Sequence, residues 1–130
     1  MLYNFGEIWN FDIWFIYDLT KHDISIVAEH LYNLNLFQDM ITLDKGTYMN
    51  FFTELEANYL ENPYHNSRHA ADACHNLLYF IKHSVLNNHL SVLEILASVI
   101  ASCAHDVGHP ALGNRYLIIN RDKLAFRYND

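Results

Sequence analysis

An all-α, compact multi-helix domain is predicted from this sequence. Apolar residues recur at three- and four-residue steps in several segments, the period of a helix with one buried face. Against that, no alternating strand pattern runs for more than a few residues. With four Gly, two Pro and no repeat, low-complexity segment or linker in 130 residues, the chain reads as one continuous unit, too short for two comfortable hydrophobic cores.

The first helical pattern is Val27, His30, Leu31 and Leu34. The second is cleaner, with Tyr48, Phe51, Phe52, Leu55 and Tyr59 falling on one face, and this stripe reads as core rather than as a binding platform. It stops at Asn62-Pro63, because Pro cannot continue a helix but can open the next, with Asn62 as its cap. A third helix is then expected from about His65 to His83. The fourth opens on Ser91-Val92-Leu93-Glu94, which has the capping-box form of Ser followed three residues later by Glu. Leu96, Val99, Ile100 and Cys103 continue its apolar face, and it should end between Asp106 and Gly108. Beyond Pro110 the chain is less regular, with an apolar run from Tyr116 to Ile119 and a short helix through Leu124 and Phe126 that Asp122 could cap.

Composition narrows the function classes. Charged residues make up 18% and hydrophobic residues 52%, so there is ample material for a core and no case for disorder. A formal net charge of −7 argues against nonspecific binding to nucleic acid or to an anionic membrane surface. If the substrate is an anion, something local must supply positive charge, and nine His residues make a bound metal the candidate. Cys74 and Cys103 lie within helical patterns rather than in a spaced framework, which fits free thiols in a reducing compartment. Ile95 to Ala104 is too short to span a bilayer, and the N-terminus is unlike a secretory signal, so a cytoplasmic protein without membrane insertion is expected.

His65 and His69, four apart on the expected helix, would lie on neighbouring turns about 6 Å apart at Cβ. A zinc-protease helix would carry Glu directly after the first His, whereas Asn66 stands there. His105 and Asp106 are adjacent and diverge by about 100° on a regular helix, so both can reach one ion only if the helix is ending, and Gly108 and Pro110 supply that ending. A neutral His nitrogen and a carboxylate suit zinc, while a carboxylate also suits magnesium, which makes Asp106 a sensible bridge between unlike ions. His65, His69, His105, Asp106 and His109 together would need partners if buried, which on spacing alone leaves a metal site and a hydrogen-bonded polar cluster equally open. His30, His75, His83 and His89 each stand alone and are read as packed residues. Glu94 and Asp122 are read as caps.

Two motifs carry a family resemblance. The segment from Asn62 through Tyr64-His65-Asn66-Ser67-Arg68-His69-Ala70-Ala71-Asp72, and the segment His105-Asp106-Val107-Gly108-His109-Pro110-Ala111-Leu112-Gly113-Asn114, resemble in order the two metal-binding motifs of the 3′,5′-cyclic nucleotide phosphodiesterases, members of the His-Asp metal phosphohydrolases. Weaker similarity covers Trp9-Asn10-Phe11-Asp12, Leu93 to Ala97, and Leu124-Ala125 to Tyr128-Asn129-Asp130. The resemblance implies His69, His105 and Asp106 as metal ligands, with Asp106 shared between two divalent ions, zinc and magnesium or manganese. It implies His65 as proton donor, and His65 and Asp106 as the residues meeting a cyclic nucleotide substrate, cAMP, cGMP or both. Asp72, His109 and Asn114 are assigned to orienting ligands or water.

The sequence departs from the family pattern at Gly108, where many members have Asp, and at Ala111, where most have Gly. A Gly there would serve a positive φ that Ala dislikes, so a locally different loop is expected. The family chain also continues into helices bearing a further metal-binding Asp and the Gln and aromatic residue that hold the base. Residues 1–130 are therefore expected to be the N-terminal part of one catalytic domain, incomplete at the C-terminus, with apolar helix faces uncovered. Two other readings stay open: hydrolysis of other nucleotides, and a catalytically silent fragment that binds metal or a partner.

Overall fold

The computed structural model describes residues 2–37 and 41–128, in which seven α-helices and one 3-10 turn occur and no strand. In chain order the helices are α1 (Ile13–Thr20), α2 (Ile24–Asn33), α3 (Lys45–Ala57), α4 (Ser67–His83), α5 (Val92–Ala104), α6 (Asn114–Ile119) and α7 (Lys123–Tyr128), with the 3-10 turn at Val85–Asn88 between α4 and α5. Asn129 and Asp130, the end of the weaker similarity, lie outside the described residues.

Each start has a local cause. Asp12 accepts from the backbone N–H of Trp14 and Phe15 to open α1, a helix that periodicity did not single out, and Lys21 closes it in the left-handed region at φ 60°. Asp44 caps α3 through Thr47 N–H at 2.7 Å. At α5 the capping box forms as the sequence specifies, with Ser91 N–H donating to Glu94 Oε2 at 2.7 Å and Glu94 N–H to Ser91 Oγ at 3.3 Å. Asp122 Oδ1 accepts Leu124 N–H at 2.9 Å, the cap foreseen for α7. The first turn of α2 is satisfied from another helix, because the Glu56 carboxylate on α3 accepts the N–H of Asp23, of Ile24 at 2.9 Å and of Ser25 at 3.3 Å.

The long helix α4 is the centre of the packing, touching α5, α1 and α2, while α2 packs on α3. Its inward positions Ala70, Ala71, Cys74 and Leu78 meet Val99 and Cys103 of α5 and Val27 and Leu31 of α2 in one apolar cluster. Small residues at Ala70 and Ala71 allow close helix approach, and each large side chain fully buried here contributes about 1.5–3 kcal/mol. Tyr48, Phe52 and Tyr59 belong to that cluster, as their stripe requires, although Phe51 faces out. No described residue after Cys103 belongs to it. Helices α6 and α7 pack on each other and leave Tyr116, Ile119, Phe126 and Tyr128 exposed.

The cysteines Cys74 and Cys103 are free and buried. The solitary His75 is a core residue, stacked on Phe11, with Nδ1 accepting the N–H of Gly6 at 2.9 Å. His83 bonds the Glu7 carbonyl, and His30 lies beside Phe5 with its pKa lowered by burial. None of the described helices is long and apolar enough to cross a membrane.

Candidate metal centre

Two helix ends meet at the site. The N-terminus of α4 brings one histidine segment, and the C-terminus of α5 brings the other. One sequence expectation is corrected here, because α4 begins at Ser67, and His65 lies before it. The cause is Asn66, whose backbone is extended (φ −130°, ψ 179°) and whose Oδ1 accepts His69 N–H at 3.1 Å, so Asn66 rather than Asn62 is the N-cap. His65 and His69 are therefore not neighbours on a helix face, although their rings still stand 6.2 Å apart, nearly perpendicular.

Helix α5 ends at Ala104 with His105 as its C-cap, two to four residues earlier than expected, and Gly108 turns the chain away at φ 71°. With the helix over, His105 and Asp106 turn to the same place. His69 Nε2 lies 3.4 Å from Asp106 Oδ2, His105 Nε2 lies 3.2 Å from the same oxygen, and the two Nε2 atoms are 3.2 Å apart. These separations are compatible with one shared ion, since tetrahedral zinc with bonds near 2.0–2.1 Å sets its ligand atoms roughly 3.3 Å apart. Among the described residues this trio is the group of His, Cys, Asp and Glu atoms able to hold one ion.

Local hydrogen bonding orients the His105 ring. His105 Nδ1 donates to the Ser102 carbonyl at 2.8 Å, which leaves Nε2 with its lone pair toward His69 and Asp106. Burial is the largest cause holding His69 below its ordinary pKa, followed by the charge of His105, while Asp106 pulls the other way, so neutral imidazole is favoured there. Facing lone pairs this close repel unless a proton or cation joins them. The residues present therefore fit a divalent ion of zinc type.

Around the trio, Tyr64 lies against His69 with ring centroids 4.4 Å apart. The His65 and His109 rings stack, 3.9 Å apart and 16° from parallel. Asp72 lines a cleft of about 250 Å³ together with His69, Tyr64, Trp14 and Arg68. Its charge acts on His69, but no hydrogen bond joins the two side chains among the described residues. Asn114 opens α6 and lines a second cleft, of about 190 Å³, with His109, Leu117 and Tyr128. The loop between is not rebuilt around Ala111 as expected. Ala111 takes up the positive φ itself, at 58°, with its N–H donating to His109 Nδ1 at 3.0 Å.

Two supporting residues escaped the sequence reading. Tyr59, buried in the core, donates from its hydroxyl to the Cys103 carbonyl at 2.9 Å and accepts Asp106 N–H at 3.4 Å, tying the end of α5 to α3. Asn62 donates its side-chain amide to the carbonyls of His65 and His109. A Tyr at the end of an apolar stripe and an Asn before Pro were the available signals, and neither reveals a partner more than forty positions away.

Residues 64–130 match the model of the family described as 3'5'-cyclic nucleotide phosphodiesterase. A curated relative, 3',5'-cyclic-AMP phosphodiesterase 4 of Dictyostelium discoideum, is 33% identical over 129 residues, covering 98% of this chain and 12% of its own length. A Caenorhabditis elegans relative named as a probable 3',5'-cyclic-AMP phosphodiesterase is 36% identical over 124 residues, covering 94% of this chain and 18% of its own. The chain thus spans under a fifth of the length of these relatives. The phosphodiesterase domain of the RhoPDE fusion protein from the choanoflagellate Salpingoeca rosetta superposes with TM-score 0.80 at 27% identity, over 98% of this chain and 39% of that one.

Proposed function

Since the chain belongs to the 3′5′-cyclic nucleotide phosphodiesterase family, we propose that residues 1–130 form the N-terminal part of a single catalytic domain that hydrolyses the 3′ ester of a cyclic nucleotide to the 5′-monophosphate. The relatives named for cyclic AMP make that nucleotide the first substrate to test. The observation that carries the reading is the convergence of His69, His105 and Asp106 beside a histidine, His65, that stands outside the trio.

The trio would hold the zinc-type ion, and Asp106, through its second oxygen, could be shared with a harder ion such as magnesium or manganese. Bound divalent ions supply charge neutralisation for the phosphodiester and acidify a nearby water. Attack of water oxygen on phosphorus forms one P–O bond as the P–O3′ bond breaks, and O3′ leaves needing a proton. His65 is suited to give it, because it lies one ring away from His69 and no hydrogen bond engages its imidazole among the described residues. His109, stacked on it, limits where that ring can turn.

In a complete catalytic domain, His65→Ala should lower kcat for cyclic AMP by about 10²–10⁴ while bound zinc, measured by atomic emission, is unchanged. Unchanged turnover would remove His65 from the role. Linear phosphodiesters cleaved as well as the cyclic substrate would favour a general nucleotide phosphohydrolase instead.

A further inference from the structure

We propose that Asn62 is a positioning residue, whose side-chain amide ties the His65 backbone to the His109 backbone and thereby holds the two imidazoles as a stacked pair. The proposal rests on the reading of His65 as proton donor for its effect on turnover, but not for its structural content.

The geometry is that of a fork. The Asn62 Nδ2 group donates to the His65 carbonyl at 3.0 Å and to the His109 carbonyl at 2.7 Å, so both of its hydrogens are used. Those acceptors sit on different motifs, 47 positions from Asn62 in the second case. Among the described residues no other hydrogen bond joins segment 60–66 to loop 107–114. The fork is itself anchored, because the Asn62 carbonyl accepts from Asn66 Nδ2 at 2.8 Å, and Asn66 is the residue that caps α4 at His69. On the other side, His109 N–H donates to the Asp106 carbonyl at 3.0 Å, and the His109 ring is oriented by Ala111 N–H on Nδ1. A continuous path of hydrogen bonds therefore runs from the cap beside His69 through Asn62 to the turn that follows Asp106.

A proton donor needs this more than a metal ligand does. A ligand is drawn into place by its ion, whereas the His65 imidazole makes no hydrogen bond among the described residues and is placed by ring contacts with His109 and Tyr64. Its angle toward a leaving oxygen is set by where its backbone stands and by the His109 face against it, and displacements of about 1 Å from a reacting group can cost on the order of 10² in rate. Amide is the required chemistry, since a carboxylate of the same shape has no hydrogens to give to two carbonyls.

The test uses Asn62→Asp, which keeps the shape, and Asn62→Ser, which removes the reach. In the parent chain the stacked rings should shift each other's carbon-bound proton resonances upfield, and in both variants those shifts should collapse while zinc affinity stays within about threefold. Turnover of cyclic AMP should fall 10–100-fold in kcat with KM little changed. Upfield shifts that persist in the variants would overturn the proposal, as would zinc affinity falling in step with kcat, or loss of helicity by circular dichroism in both variants. The turnover arm is read in a complete catalytic domain carrying this segment; if that domain hydrolyses no cyclic nucleotide, the functional reading fails alone, because the resonance shifts still decide whether Asn62 holds the pair.

Discussion

The two histidine-bearing segments are held by different kinds of force. Around His65 and His69, buried polar groups fix the chain: Asn66 is 5% exposed and caps α4, and Ser67 Oγ donates to Asp23 Oδ2 at 2.9 Å. The Arg68 guanidinium sits 4.0 Å over the Tyr17 ring and 5.0 Å from that of Trp14, tying α4 to α1. Past His105 such support is sparse among the described residues: the Tyr59 hydroxyl accepts Asp106 N–H and the Asn62 amide donates to the His109 carbonyl. The segment follows turns with positive φ at Gly108 and Ala111, and its helices α6 and α7 lean on each other. One segment is specified by side chains reaching across the fold, the other by its own backbone. Asp106 and Asn62 are where the two are joined.

Removing a joint should have the largest effect. Asp106→Asn keeps the shape but takes away the charge and the oxygen that both His69 and His105 face, so zinc affinity should fall by more than about 100-fold, beyond what loss of a supporting residue costs. Competition with a chromophoric chelator reads this directly, and an affinity within threefold of the parent would place the ion elsewhere.

An intermediate effect should come from Asp23, beneath the first segment. It is fully buried with Oδ1 unpaired, and desolvation raises its pKa to about 6, reinforced by Glu56 and opposed by the Ser67 hydrogen bond, Arg68 and His22. A folded-state pKa above the unfolded value means that the fold retains a proton the unfolded chain releases. This group's contribution is therefore intact below about pH 4 and is lost as pH rises through about 6. Asn at this position needs no proton, so Asp23→Asn should be more stable at pH 7 by about 2–3 kcal/mol and should flatten the decline between pH 4 and 6. Urea melts across that range would count against it if both chains showed the same slope.

The smallest effect belongs to the second segment. Ala111→Gly relieves a left-handed residue that costs about 1–2 kcal/mol and gives part of that back in chain entropy, for a net gain of about 0.5–1 kcal/mol. The urea midpoint should rise with zinc affinity unmoved. A lower midpoint would mean that the Ala methyl has a packing role.

Short-range information was legible without the fold. The period of Tyr48 to Tyr59, the Ser91–Glu94 box and the Asp122 cap all depend on residues within four or so positions; the box and the cap are present as read, and the stripe is too except at Phe51, which faces out. The end of α5 falls earlier than expected, since the helix stops at Ala104 with His105 as its C-cap and Gly108 turns the chain three residues further on. Helix α1 was missed, because eight residues that are mostly apolar leave little polar contrast to mark a face. The start of α4 is later than expected because Asn66, one residue past the expected start, is extended and caps the helix by accepting His69 N–H.

The sequence by itself determined that the chain is helical, that His65, His69, His105 and His109 fall in two motifs and that those motifs are of one family. Only the tertiary structure decided that His69 meets His105 across 36 positions, that His65 stands outside the helix and stacks on His109, and that Asn62 and Tyr59 belong to the site. The division has a physical reason. Capping and amphipathicity act over one or two helical turns and are written in adjacent residues, whereas a bond between two loops depends on how α4 packs on α5, a sum of many weak apolar contacts with no local signature.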